Sequence, residues 1–459
     1  MSSFQYFALT SHCLSEATTP WGYSLGCGRS DPRLTLHQPP PPPPHQPPPQ
    51  AQYQSQHQHQ HLHLAPILQS LPTHQTALLL HSPKTPYILA PHHPLPVPHP
   101  IPPSSQGACE LLVKISHIGL NPIDWKAPDY NFGIPYLPFL SGRDFVGTVV
   151  RGPEHGGGLK PGRRVREGDV VIGVSTDYRD HRKAAFQSYA VVASFNACRL
   201  PRNVSREAGA CVGVAFVAAA IALGVCLGVD FRRIGGPDLL LLARDIGEQG
   251  LSLDIREECL KGVMVGERAG NGEWIVVWGS STTGFFAAQL AKLSGLRVIL
   301  VLDLQKHGAR FWERGADIIV DCHDPERAVS VIRAVTGNGV RFAIDTVGKE
   351  TAARLVGAFD TSSGGMAKED GRRGHLVGLT GLPSMRSEGV IFHTVPIKLF
   401  HEVEQVGEAL MTWLGTLLLE GLIETPYVEV ETGGLERVNH ALDRMRIGEI
   451  SGRRLVVEL

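Results

Sequence analysis

An excess of charge of either sign is missing from this chain. Its 459 residues carry 43 Lys and Arg against 44 Asp and Glu, a formal net charge of −1, and charged residues make up 19%. Nothing in that balance points to a nucleic acid or an anionic membrane as partner. Paired cysteines are missing too. Cys13, Cys27, Cys109, Cys198, Cys211, Cys226, Cys259 and Cys322 stand singly, with no C-x-x-C spacing, so neither a zinc knuckle nor a dithiol redox motif is visible. Scattered single cysteines fit a reducing compartment, and the cytoplasm is the expected location. The N-terminus lacks a basic segment followed by an apolar one, and no Arg-rich, acid-poor transit peptide is present, so no targeting signal is read there. One long stretch, 209–229, has no charge. It is rich in Ala and Gly and poor in Leu, and it lacks a basic N-terminal flank and an aromatic belt. A buried helix at a domain junction explains it better than a membrane span.

The length has room for two or three domains. Residues 1–75 hold proline runs at 39–44 and 47–49 and a Gln/His tract at 50–63. Such a composition cannot bury a core and is expected to be disordered. The alternating His57, His59, His61 and His63 read as part of that tail rather than as a metal site. Short strands are expected over 76–80, 110–115, 146–151, 169–174 and 188–193, with a proline-rich connection after the first; together they make an all-β domain, sandwich or barrel-like. An insertion at about 230–270 carries two short helix candidates, 239–242 and 254–261, and no readable function. From Trp274 onward strands and helices alternate. Strands are expected over 318–320, 342–345 and 375–379 and helices over 308–314, 326–335 and 351–358. That is the pattern of a doubly wound parallel sheet. The tail offers amphipathic helices over 401–420 and 435–447 and a last strand over 454–459.

The most informative stretch is 273–303, EWIVVWGSSTTGFFAAQLAKLSGLRVILVLD. It reads as a buried strand, a turn from Gly279 to Gly284 filled by Ser280, Ser281, Thr282 and Thr283, a helix with Phe286, Leu290 and Leu293 on one face, and a second strand ending at Asp303. Such a unit sets backbone N–H groups and a helix N-terminus where a pyrophosphate can sit, and small residues in the turn leave it room. The glycine spacing is not G-x-G-x-x-G.

Eight segments then line up in order: GLNPIDWK (119–126), PFLSGRDFVGTVV (138–150), AAFQSYAVV (184–192), WGSSTTG (278–284), RGADIIVD (314–321), AIDTVG (343–348), HLVGLTG (375–381) and SGRRLVVEL (451–459). With these the chain resembles the medium-chain dehydrogenase/reductase superfamily. More narrowly it resembles the zinc-free fungal branch, the trans-acting enoyl reductases and their quinone oxidoreductase-like relatives. The resemblance implies an α/β protein with a GroES-like substrate domain over 76–215, completed by 390–459, and a Rossmann cofactor domain over 216–389. It also bears on zinc. Zinc-dependent members carry Cys where Asn121 stands and Gly-His-Glu where Gly142, Arg143 and Asp144 stand. They also carry a four-cysteine lobe that is absent here. No metal is therefore expected, and alcohol oxidation through a zinc Lewis acid is excluded.

What the resemblance leaves is hydride transfer from a reduced nicotinamide to an activated C=C bond, in an enoyl thioester or enone, or to a quinone. It places Asn121, Asp124 and Lys126 along the cleft, with Lys126 and Tyr130 as the candidate catalytic residues and Tyr130 as a candidate proton donor. Asn121 and Asp124 also read as a turn and a helix cap. On the cofactor side stand Gly279, Ser280, Ser281, Thr282, Thr283 and Gly284, then Val377, Gly378 and Leu379 beside the nicotinamide and Arg453 on the phosphate side. Cofactor choice is two-sided. Asp303 would bond a ribose 2′-OH and favour NADH, whereas Lys306, His307 and Arg310 would hold a 2′-phosphate. NADPH is the preferred reading. The implied partners are a small-molecule or carrier-bound enoyl substrate and a polyketide synthase, with the chain a monomer or homodimer. The competing reading is a catalytically silent dinucleotide-binding scaffold or nucleotide-ratio sensor.

Overall fold

The computed structural model describes residues 71–99, 109–152, 165–337, 339–359, 373–385 and 387–459. Most of the expected disordered extension, including the alternating histidines, lies outside the described residues; its last two positions, His74 and Gln75, belong to a strand instead.

That strand, β1 (His74–Leu79), pairs antiparallel with β2 (Ile88–Pro94). The sequence reading had no strand at β2, because two prolines punctuate it. Proline is tolerated here because β2 is an edge strand with one partner. The main β unit is built on β3 (Glu110–Gly119), β4 (Asp144–Arg151), β5 (Val170–Val174), β6 (Tyr189–Ala193) and β7 (Ala197–Arg199). It is closed by β14 (Tyr427–Glu431) and β15 (Arg453–Glu458) from the far end of the chain, in the order β14-β15-β3-β4-β5-β7, with β6 also on β3. All these pairings are antiparallel except β14 with β15. β3 shifts register against β4 between Leu112 and Val113 and again between Ile115 and His117. Those irregularities bend it, so that its first half pairs with β6 and its last residues with β15. Helix α1 (Pro122–Tyr130) follows β3 directly, and α2 (Arg206–Gly209) leads out of the unit.

The uncharged stretch is α3 (Gly213–Ile221), which runs on into a wider π-turn over Ala222–Cys226. Its side chains pack on the parallel sheet and on α11 (Glu404–Leu419), in one core with Phe286, Leu290, Leu410 and Trp413. That burial accounts for its apolarity. Among the described residues no helix is long and apolar enough to cross a membrane. The insertion folds into α4 (Leu239–Ile246) and α5 (Leu253–Lys261).

The parallel sheet contains β8 (Trp274–Trp278), β9 (Arg297–Leu302), β10 (Ile318–Asp321), β11 (Phe342–Asp345), β12 (Gly374–Gly378) and β13 (Val390–His393), in the order β10-β9-β8-β11-β12-β13. Numbered within the sheet this is 3-2-1-4-5-6, the doubly wound order of Rossmann domains. Alternate side chains face opposite ways. Val277, Leu300 and Ile344 meet α3 and α6 (Thr282–Leu293), along with Phe311 of α7 (Leu304–Trp312). Val276, Ile299 and Ala343 meet α8 (Pro325–Thr336) and α9 (Lys349–Val356).

The expected single helix over 401–420 is two helices, α10 (Lys398–Glu402) and α11, broken at the extended Val403. The break leaves the Phe400 carbonyl free to accept from Asn196 Nδ2 at 2.9 Å. Finally α12 (Val438–Arg446) precedes β15.

Candidate functional site

In an open parallel sheet, ligands favour the crevice at the carboxyl ends of the strands where the strand order reverses. Here that point lies between β8 and β11, whose last residues Trp278 and Asp345 are in register, with Gly378 of β12 beyond. Gly279 leaves β8 with φ +112°, a conformation that favours glycine. Its amide donates to Val301 O at 2.8 Å. A Cβ at this position would lie 2.3 Å from Thr346 Oγ1 and 2.8 Å from Val347 Cγ2. The turn is therefore pressed against the exit of β11. Gly284 closes the other side; a Cβ there would sit 2.8 Å from Gly279 O. Ser281 caps α6 by accepting from Gly284 N at 3.0 Å. The amides of Thr282 and Thr283 belong to the same first turn, whose N–H groups have no partner within the helix. This is the geometry of an anion cradle.

Next to it, Asp345 is fully buried. Its Oδ1 accepts from Val347 N at 3.0 Å and Gly348 N at 2.8 Å, while Oδ2 has no partner. Burial pushes this carboxyl up to about 6, against those hydrogen bonds. A carboxyl raised on folding binds a proton more readily in the native state. Its contribution to stability is therefore present below about pH 4 and lost as the pH rises through 6. Asp345→Asn is expected to reduce the fall in melting temperature between pH 4 and pH 7, and parallel thermal scans of both proteins across that range check it.

The α1 residues form a second group, and it is closed. Asn121 caps α1, and its backbone N–H donates to Asp124 Oδ2 at 2.7 Å, so the pair makes a capping box. The Asn121 side chain donates to Asp144 Oδ2 at 3.0 Å and accepts from Arg454 Nη2 at 2.9 Å. Arg454 stands 3.6 Å from the Asp144 carboxylate, whose Oδ1 accepts from Val214 N at 2.7 Å. Burial raises both carboxyls, Asp124 to about 6, with Arg143 pulling against burial at Asp124 and Arg454 at Asp144. The Cys211 thiol touches the same Arg454 and is pushed up to about 12 by burial. Asp144 and Arg454 as an inward pair were missed in the sequence, although strand alternation in RRLVVE sends one of the two adjacent arginines inward. The outward one, Arg453, pairs with Glu429 at 2.9 Å.

Lys126 is half-buried, and burial lowers its ammonium. Tyr130, one helical turn on, is 44% exposed and lines a separate 470 Å³ cleft between α1 and α12 with Tyr87 and Arg446.

The basic residues of α7 meet Arg453 in one cleft of 510 Å³, with Tyr427 and Gly452 on its far wall. They are not equally available. Asp303 caps α7 by accepting from Lys306 N at 3.0 Å, and its other oxygen pairs with Lys306 Nζ at 3.0 Å. His307 is buried against Ser451 Oγ, 3.1 Å from Nε2. Arg310 donates to Gly452 O and lies over the rings of Phe285 and Tyr427, at 4.2 and 4.9 Å from their centroids. His307 and Arg310 thus fasten the last segment of the chain to α7, and Lys306 and Arg453 face solvent. Val377, Gly378 and Leu379 lie at the end of β12, with Leu379 N donating to Asp345 O at 2.9 Å.

Comparison with known proteins bears on the family. Residues 107–202 match the alcohol dehydrogenase GroES-like domain. The trans-enoyl reductase xenG of Xenoacremonium sinensis is 29% identical over 413 residues, covering 85% of this chain and 97% of that protein. The trans-enoyl reductase gkaC of Penicillium citrinum is 25% identical, covering 85% of this chain and all of that protein. These likenesses support membership of the medium-chain dehydrogenase/reductase superfamily. Within that superfamily the fold is also shared with a quinone oxidoreductase of Pseudomonas syringae pv. Tomato DC3000, at a TM-score of 0.60 and 16% identity over 84% of this chain. The superfamily's two-part plan, a GroES-like β unit and a Rossmann-type parallel sheet, is the plan seen here.

Proposed function

We propose that this chain is a zinc-independent, nicotinamide-dependent reductase of activated C=C bonds, taking an enoyl thioester or enone and preferring NADPH. The observation that carries the reading is the turn Gly279–Gly284 at the switch point, with the cap of α6 on one side and Thr346 on the other. The residues present fit a dinucleotide. The Thr282 and Thr283 amides and the α6 N-terminus would hold the diphosphate. Lys306 and Arg453 would stand at the adenosine end, and the backbone strip Val377–Leu379 would stand beside the nicotinamide. The bound cofactor supplies a hydride. The chain's task is to orient the acceptor and to supply a proton after hydride arrival. Lys126 is the candidate we keep for that task, by the resemblance of GLNPIDWK, whereas Tyr130 lines the cleft between α1 and α12.

Zinc independence is supported by the α1 network. Asn121 and Asp144, at positions where zinc-dependent members carry ligands, are bonded to each other and to the Arg454 guanidinium. Asn121 and Val214 take the two Asp144 oxygens, and Arg454 takes the Asn121 oxygen and supplies the countercharge. The superfamily relatives named trans-enoyl reductases favour an acceptor carried by a polyketide synthase. The deciding experiment is NADPH consumption by the purified chain with a panel of enoyl thioesters, enones and quinones. Turnover of the first two supports the reading. Turnover of quinones alone would make it a quinone reductase, and tight binding without turnover on any of them would make it a nucleotide-binding scaffold.

NADPH preference has its own check. Lys306→Ala should weaken NADPH by about tenfold or more while changing NADH little, since a charge-assisted bond to phosphate is worth about 1.5–3 kcal/mol. Asp303→Ser should tighten NADPH by removing like-charge repulsion. Dissociation constants of both nucleotides for the three proteins decide. Wild-type preference for NADH, reversed by Asp303→Ser, would overturn the assignment.

A further inference from the structure

The insertion brings Glu258 of α5 to Cys226 and to His393, which pairs in register with Val377 of β12. The π-turn at the end of α3 finishes at Cys226, and such turns recur at functional sites. α5 carries Glu258, and β13 ends at His393. One ligand atom from each of the three lies within 4.8 Å of the other two. Cys226 and His393 are fully buried, and Glu258 is partly so. His393 Nδ1 is 2.6 Å from Glu258 Oε1. On the other side of the ring, His393 Nε2 is 2.9 Å from Nδ1 of His375, on β12. His375 is fully buried, and its Nε2 makes no hydrogen bond although it stands 3.9 Å from Glu267 Oε2. Glu267 is itself held by Arg373 at 2.7 Å.

We propose that Cys226, Glu258 and His393 form a zinc site that ties the inserted helix α5 to the edge strand β13. A thiolate, an imidazole and a carboxylate are the donor types zinc takes, and the thiolate argues against magnesium or calcium. One doubly charged cation with one thiolate, one carboxylate and a neutral imidazole sums to zero, which removes the cost of burying separate charges. The surroundings match as well. A metal-bound histidine normally donates its second N–H to an outer partner that fixes its tautomer. With His393 Nδ1 on the metal, its Nε2–H donates to His375 Nδ1. His375 must then carry its proton on Nε2, the atom that faces Glu267. The chain of donors runs outward from the metal toward the Glu267 carboxylate, 3.9 Å beyond the unpartnered nitrogen of His375. Binding releases the Cys226 proton and breaks the Glu258–His393 hydrogen bond, with the Nδ1 protons of His393 and His375 each moving to the Nε2 of its own ring. Glu258 then turns its oxygen to the ion, and water completes the shell. This site is separate from Asn121 and Asp144, and the proposal does not rest on hydride transfer. It also departs from the expectation of a metal-free chain, which rested on the family's ligand positions and on C-x-x-C spacing. These three ligands have neither, coming from a helix end, an insertion and a strand far apart in sequence.

The test uses the full chain, stripped by chelator and titrated with zinc chloride against a chromophoric competitor. One equivalent bound more tightly than about 1 μM is expected, with a rise in melting temperature on adding zinc. Cobalt chloride should give a thiolate-to-cobalt charge-transfer band, absent in Cys226→Ser and retained in Asn121→Ala. His375→Gln should weaken zinc by about 10–100-fold, as loss of an outer partner does. No stoichiometric binding by the wild type would overturn the proposal. So would a cobalt band that persists in Cys226→Ser or disappears in Asn121→Ala.

Discussion

Gly279→Val is expected to abolish nucleotide binding, with affinity for NADPH falling by more than about 100-fold, and to lower stability by several kcal/mol. Two independent causes act together. The residue sits at φ +112°, where a β-branched side chain is strained. Its first carbon would also lie 2.3 Å from Thr346 Oγ1, so β8 and the exit of β11 would have to separate at the place where the diphosphate is held. The causes can be told apart. Gly279→Ala should be milder, and adding Thr346→Ala should restore part of the affinity by removing the contact, leaving the backbone strain. NADPH fluorescence titration, with near-ultraviolet circular dichroism to show that the rest of the chain is folded, reads both effects. Wild-type affinity in Gly279→Val would move the phosphate site elsewhere.

Arg454→Met is expected to be the most damaging change outside the cofactor turn. It removes the charge that offsets Asp144 and the donor to Asn121 Oδ1. Breaking a buried pair by deleting one partner costs about 3–5 kcal/mol, because the remaining charge is stranded. The sign of its pH dependence follows from the buried carboxyl. Without the guanidinium, Asp144 is pushed further above its ordinary range, so the variant's deficit should be largest near neutral pH and shrink as acid protonates Asp144. Asp144→Asn added to Arg454→Met should recover part of the loss, since no ionised group is then left alone. Chemical denaturation of the wild type, the Arg454→Met variant and the double variant at pH 5 and pH 8 makes the comparison. Equal deficits at both values would mean that the cost is packing, not charge.

What was legible in the sequence followed physical contrast. β8, β9 and the capped turn between them stood out because apolar runs of strand length meet a glycine-rich turn and a helix of clear period. β13 was missed because four residues, VIFH, carry no periodicity, and its place in the sheet comes from pairing with β12. β14 was missed because YVEVE is half exposed, and its register depends on β15 alone. At the site, residue types were legible and their commitments were not. Nothing in LQKHGAR tells that His307 and Arg310 hold Ser451 and Gly452, 144 and 142 residues away in sequence, while Lys306 stays outside. The GroES-like plan came from resemblance. Composition alone reached only a β domain followed by an α/β one.

The place of β15 has a consequence for synthesis on the ribosome. β3 pairs with this strand at its last residues, and β14 is attached only through it. Strands β3 to β7 leave the ribosome about 250 residues before β15 does, which at about 5–20 residues per second is tens of seconds. During that interval one edge of the first sheet is open, with an apolar face behind it. Nascent chains of this protein should therefore engage a holding chaperone until the Rossmann sheet has been made and the final strand can arrive.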